Sequence, residues 1–115
     1  MAYYLLQMTY TPQGWAALVK NPQNRLQALA PVVERLGGSI INGWMQFGKY
    51  DVLIICQMPE QVSAAALSIA ISAGGAIEHV ETTPLLTIEE GLESLRKAGD
   101  AQYSPPESEF SYFGA

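Results

Sequence analysis

The run Phe47-Gly48-Lys49-Tyr50-Asp51-Val52-Leu53-Ile54-Ile55 constrains the fold more than any other part of the chain. Gly48-Lys49 is a two-residue connection with glycine first, which suits a type II′ hairpin turn. The following stretch, Tyr50 to Met58, is apolar almost throughout. Such a strand is covered on both faces and belongs inside a sheet rather than at its edge. A carboxylate, Asp51, stands at the mouth of this strand, where a half-buried charge needs donors or a positive partner.

Around that hairpin the chain alternates strand and helix patterns. Ala2 to Tyr10 reads as a first strand, broken by Thr11-Pro12-Gln13-Gly14. Trp15 to Val19 allows one or two helical turns before Pro22. From Asn24 to Leu36, Leu26, Leu29, Ala30, Val33 and Leu36 recur at helical spacing, and Gly37-Gly38 ends the helix as a C-cap should. Ser39 to Phe47 is the second strand and Tyr50 to Met58 the third. Pro59 opens a helix whose apolar stripe is Val62, Ala65, Ala66, Ile69, Ala70 and Ala73, with Leu67 and Ile71 opposite, and Gly74-Gly75 caps it. Ala76 to Thr83 is the fourth strand, limited by Pro84. Thr87 and Glu90 match a capping box for a last helix that reaches about Ala98 and stops at Gly99.

The order is β-α-β-β-α-β with a trailing helix, which makes the fold class α+β: a ferredoxin-like βαββαβ sandwich with a C-terminal helix and tail. One sheet face carries the helices. The other is apolar too, since neighbours such as Leu5 and Leu6, Ile40 and Ile41, and Ile54 and Ile55 point to opposite sides. Water is a poor cover for such a face, so a homodimer or higher homo-oligomer through the sheet face is expected. Residues 1–99 form one domain in this reading, and 100–115 a tail. The tail carries Tyr103, Phe110, Tyr112 and Phe113, more aromatic residues than a purely solvating segment holds, so part of it is expected to dock.

Composition narrows the function classes. Of 115 residues 49% are hydrophobic and 15% charged, against about 25% charged in an average domain. Net charge is -5 and the six basic residues are scattered, which argues against nucleic acid and against anionic membrane surfaces. One Cys and one His exclude a disulfide framework and a Cys/His zinc site within one chain. Cys56, in an apolar run, reads as a small buried hydrophobe. The first residues show no basic region leading into an apolar stretch, and no apolar run is long enough to span a bilayer. A cytoplasmic protein without signal peptide, metal or cofactor is expected.

Several segments together resemble the GYD domain family of small bacterial proteins. They are Tyr10-Thr11-Pro12-Gln13-Gly14, Glu34-Arg35-Leu36-Gly37-Gly38, Gly48-Lys49-Tyr50-Asp51, Glu89-Glu90, Lys97-Ala98-Gly99 and Tyr103-Ser104-Pro105-Pro106. The family's Gly-Tyr-Asp signature is Gly-x-Tyr-Asp here, with Lys49 interposed, and Trp44 stands where many members have tyrosine. The resemblance implies a fold similar to dimeric α+β barrel proteins, which pair through their sheets. That group includes cofactor-free monooxygenases, small isomerases, haem enzymes and plain binding proteins, so it implies no particular activity.

Asp51 is the first candidate for chemistry. It either accepts from backbone N–H groups or from Thr82 or Thr83, or it acts as a general base or ligand-orienting group. The expected strand directions, first parallel to third and second parallel to fourth, put His79 at the far end of the sheet, roughly 10–15 Å away. The same directions bring Tyr3, Tyr4, Lys49, Thr82 and Thr83 towards Asp51. Lys49 reads as a hairpin charge and Tyr50 as packing under a helix or across an interface. His79, flanked by Glu78 and Glu81, reads as a surface histidine or, less simply, a haem ligand. Trp15, Trp44, Met8 and Met45 fit core packing or a pocket for a flat apolar ligand. No phosphate loop or nucleophile elbow appears.

The leading function is a non-enzymatic small-molecule-binding or assembly homodimer, with a mostly apolar pocket in which Asp51 and a tyrosine orient a polar ligand atom. The ligand-binding candidates are Tyr3, Tyr4, Trp44, Lys49, Tyr50, Asp51, His79 and Thr82. One alternative is a cofactor-free isomerase or monooxygenase in which Asp51 removes a proton from an activated carbon. The other is a protein-interaction module docking through its aromatic tail.

Overall fold

The structure, a computed structural model, describes residues 1–106. Its elements are β1 (Ala2–Tyr10), α1 (Pro12–Lys20), α2 (Arg25–Arg35), β2 (Ser39–Met45), β3 (Val52–Met58), α3 (Gln61–Ala73), β4 (Ile77–Leu85) and α4 (Ile88–Asp100). They fall into two compact units, Met1–Leu85 and the segment from Leu86 onward.

Local chemistry sets most element ends. The Thr11 hydroxyl accepts from the Gly14 N–H and caps α1, whose first residue is Pro12. Thr11-Pro12 therefore starts a full helix rather than a bare turn. The Asn24 side chain caps α2 through the Leu26 N–H. At its other end Gly37, at φ 87°, donates to the Glu34 carbonyl, and Gly38 donates to the Val33 carbonyl. These paired bonds satisfy two carbonyls that the helix leaves over. Thr87 and Glu90 close the capping box of α4, which runs past Gly99 to Asp100. The turn out of the helix falls instead at Gln102, with φ 55°.

The four strands form one antiparallel sheet in the order β2-β3-β1-β4. With the helices between β1 and β2 and between β3 and β4, this is the ferredoxin-like arrangement. β1 is antiparallel to both of its neighbours, β3 and β4, and so not parallel to β3 as the sequence reading had it. The crossover from β1 to β2 makes those two strands parallel, and β3, inserted between them, must oppose both. The link from β2 to β3 is also longer than a two-residue turn. The strands end at Met45 and Val52, and the loop between them is held by the Gln46 N–H on the Asp51 carbonyl at 2.8 Å. The sheet's edges are β2, which shifts register between Ile40 and Asn42, and β4, which contains Pro84.

Alternation divides the sheet. Tyr4, Leu6, Met8, Ile54, Cys56 and Met58 face the helices and are buried with Val33, Ala64 and Leu67. Tyr3, Leu5, Leu53, Ile55 and Leu85 occupy the other face and are half-buried. The buried side of α3 is Ala64 and Leu67, not the stripe with Val62 and Ile69, which are exposed. A helix apolar on all sides carries no periodic signal for its inner face. On that inner side the Ser68 hydroxyl lies 2.6 Å from that of Thr82 on β4.

In the second unit, α4 carries Ile88, Leu92 and Leu95 as an exposed apolar stripe beside an Arg96–Glu93 pair. Tyr103 is exposed. Phe110, Tyr112 and Phe113, on which the docking tail rested, lie outside the described residues.

Candidate functional site

The end of the sheet where β1 stops and β3 and β4 start collects the notable side chains. Beyond Met8 the β1–β3 ladder runs out, and the Tyr10 N–H would be left without an acceptor. Asp51 supplies one. Its Oδ2 accepts from Tyr10 N at 2.8 Å, while its own N–H donates to the Met8 carbonyl at 2.8 Å. The carboxylate thus splices β1 to the mouth of β3, the backbone-accepting role among the two weighed for it.

The strand directions rearrange the other candidates. Tyr3 pairs with Gln57 and Leu85, and Tyr4 with Cys56 and Pro84, at the end of the sheet remote from Asp51. Tyr4 is buried in the core. Thr82 pairs with Leu6 and turns its hydroxyl to Ser68. None of these three approaches Asp51. His79 pairs with Thr9 and so lies at the same end as Asp51, not the opposite one. The two flank β1 from either side, about two strand spacings or 10 Å apart, so they form no direct dyad.

Tyr50 and Lys49 belong to the loop over the open face. The Tyr50 hydroxyl donates to Glu81 on β4, reaching across β1, and the Lys49 ammonium lies 5.6 Å from the Tyr50 ring centre. Beneath them Gln7, Gln46, Phe47 and Gly48 help enclose a small cavity of about 390 Å³. The Gln46 Oε1 is buried there without a hydrogen-bond partner among the described residues. Phe47 stands 99% exposed at the loop's crest.

A larger cavity, about 650 Å³, opens on the helix side of the same end. Its floor is Met8, Val52 and Ile54, and its walls include Leu18, Leu29 and Ile71 from the three helices of the first unit. Trp15, Trp44, Met8 and Met45 all line it, although Met8 also belongs to the buried core and Trp44 and Met45 are more than half exposed. Sequence reasoning missed its polar groups. Tyr10 packs its ring against Trp15 at 4.9 Å between centroids. Burial pushes the Tyr10 phenol up from its usual 10.0, and the nearby Arg25 guanidinium partly offsets this. Arg25 lines the same cavity and bonds the neutral Gln23 side chain at 2.8 Å. Asp51 lines neither cavity.

Cys56 is fully buried, and burial pushes its thiol up to about 11, so it behaves as a hydrophobe. Among the described residues no cluster of His, Cys, Asp and Glu is placed to hold a metal ion, and no helix is long and apolar enough to cross a membrane.

Comparison with known proteins agrees with this architecture. The fold is similar to the crystal structure of FFRP-DM1, with a TM-score of 0.54 and 11% sequence identity over 75% of this chain and 100% of that one. At that identity the likeness bears on the fold alone. No curated protein sequence matches the chain. Residues 4–95 match the model of the GYD domain, and the chain therefore belongs to the GYD domain family.

Proposed function

We propose that this protein is a non-enzymatic small-molecule-binding protein that works as a homodimer, its two sheets packed face to face. The observation that carries the binding reading is the 650 Å³ cavity between the sheet and α1, α2 and α3. Its size falls within the roughly 300–1,000 Å³ of ligand sites, and its make-up follows their pattern of apolar walls with few polar groups. The half-buried row of Tyr3, Leu5, Leu53, Ile55 and Leu85 favours pairing through the other face. The enzyme reading, with Asp51 as general base, is disfavoured because the Asp51 carboxylate is engaged by the Tyr10 N–H and lines neither cavity.

Native mass spectrometry of protein taken from its source tests both halves. A dimer carrying extra mass, released on denaturation, is the expected result. A bare monomer refutes the assembly. A chain that holds no added mass and takes up no apolar probe refutes the binding role.

A further inference from the structure

The ligand's chemical class can be read from the cavity's one charged group, an argument that rests on the binding role proposed above. Three observations converge. Nearly all of the wall is hydrocarbon or aromatic, so the ligand's body is apolar. Arg25 is the one charged residue among those lining the cavity. Among the described residues it has no carboxylate partner, and its recorded bond goes to the neutral Gln23 amide. Arg25 is exposed to solvent, and a guanidinium at the edge of an apolar cleft, with donors to spare, is complementary to an anion. Tyr10 lines the same cavity, and its hydroxyl, which makes no protein hydrogen bond among the described residues, is not a buried orphan and is free to meet a ligand. A phenol that keeps its proton is a donor to an anionic oxygen. Asp51, just before β3, holds one oxygen against the Tyr10 N–H and is not among the residues lining the cavity; its charge still reaches the Tyr10 phenol, where Arg25 opposes it.

We infer that the cavity binds a small amphiphilic monoanion, an aromatic or aliphatic body with one carboxylate, whose head is held by the Arg25 guanidinium and the Tyr10 hydroxyl and whose body lies against Trp15, Met8 and Leu29.

The test is a matched pair of probes, 4-butylbenzoate and 4-butylbenzyl alcohol, titrated calorimetrically into the full chain. They share a body and differ in the charge of the head. The benzoate is expected to bind about tenfold more tightly, as one charge-assisted contact to an exposed guanidinium supplies. Arg25→Met is expected to remove that preference and leave the alcohol's affinity unchanged. Tyr10→Phe is expected to weaken the benzoate alone, by a smaller factor. If the two probes bind within threefold of each other, or if Arg25→Met keeps the preference, the anion assignment is overturned while the binding role stands. Saturable binding of neither probe overturns both.

Discussion

Replacing Gly14 with alanine inverts the usual effect of that substitution in a helix. In an unencumbered helix interior, Gly→Ala stabilises by up to about 1 kcal/mol, since alanine loses less backbone freedom on folding. Gly14 is buried, and it lies where α1 approaches the chain entering β4. A Cβ built on it would overlap the Ala76 carbonyl oxygen and lie 3.2 Å from the carbonyl carbon. The obstacle is backbone, so no side chain can swing aside. Either α1 or the Gly75-Ala76 segment must retreat. The same Ala76 oxygen accepts from the Thr11 N–H at 2.9 Å, and the Thr11 hydroxyl reaches the Gly75 carbonyl at 3.1 Å. Retreat therefore lengthens bonds as well as opening the packing. Overpacking of this kind costs about 1–3 kcal/mol, and a lost backbone bond adds about 0.5–1.5 kcal/mol. Against the helix gain of about 1 kcal/mol, the net expectation is a loss near 2 kcal/mol. Gly91 in α4 has open space around its would-be Cβ and serves as the control, where alanine should be neutral or stabilising. Urea denaturation followed by circular dichroism reads both. If Gly14→Ala matches or exceeds the wild-type midpoint at unchanged slope, the steric argument is wrong.

Asp51→Ala leaves the half-buried Tyr10 N–H without its acceptor and should cost about 1–3 kcal/mol, whereas Asp51→Asn keeps a neutral acceptor and should cost less. Equal midpoints for the alanine variant and the parent in urea would show that the splice contributes nothing. Burial raises the Cys56 thiol from 9.0 to about 11, so above pH 9 the unfolded chain loses this proton first. Stability should fall as pH rises from about 9 to 11, by order 1–3 kcal/mol, and Cys56→Ala should remove that part of the slope; parallel curves for the two proteins would refute it. Thr87→Ala opens the capping box of α4 and should cost that helix about 1 kcal/mol, seen as lost helical ellipticity with the sheet signal unchanged.

The legible parts of the fold were those fixed by neighbouring residues. Gly37-Gly38 and the Thr87–Glu90 pair announce helix ends because cap chemistry acts over a few residues. The central place of β3 followed from its nearly unbroken apolar run. Strand direction was different: it follows from the crossover between β1 and β2 once the ferredoxin-like order is named, and the expectation of parallel first and third strands was at odds with that order. The single error of direction carried Tyr3, Tyr4 and Thr82 towards Asp51 and His79 away from it. The face of α3 was illegible for want of contrast around the helix. The cavity was half legible: Trp15, Trp44, Met8 and Met45 were candidates, but Tyr10 and Arg25 were not. Arg25 left a trace, for it is a cation at the first position of α2, where the helix dipole disfavours positive charge. A residue that breaks a local preference without evident compensation marks a place where function is sought.

The register shift in β2 and the proline in β4 sit on the two outer strands of the sheet. A straight outer strand is a template on which further copies can polymerise without limit. A kinked ladder and a residue with no N–H both spoil that template. Lateral growth is thus disfavoured on either side, which leaves the face-to-face pairing proposed above as the route open to a second copy. The chain can carry a sheet that is apolar on both faces and still not seed a cross-β fibre.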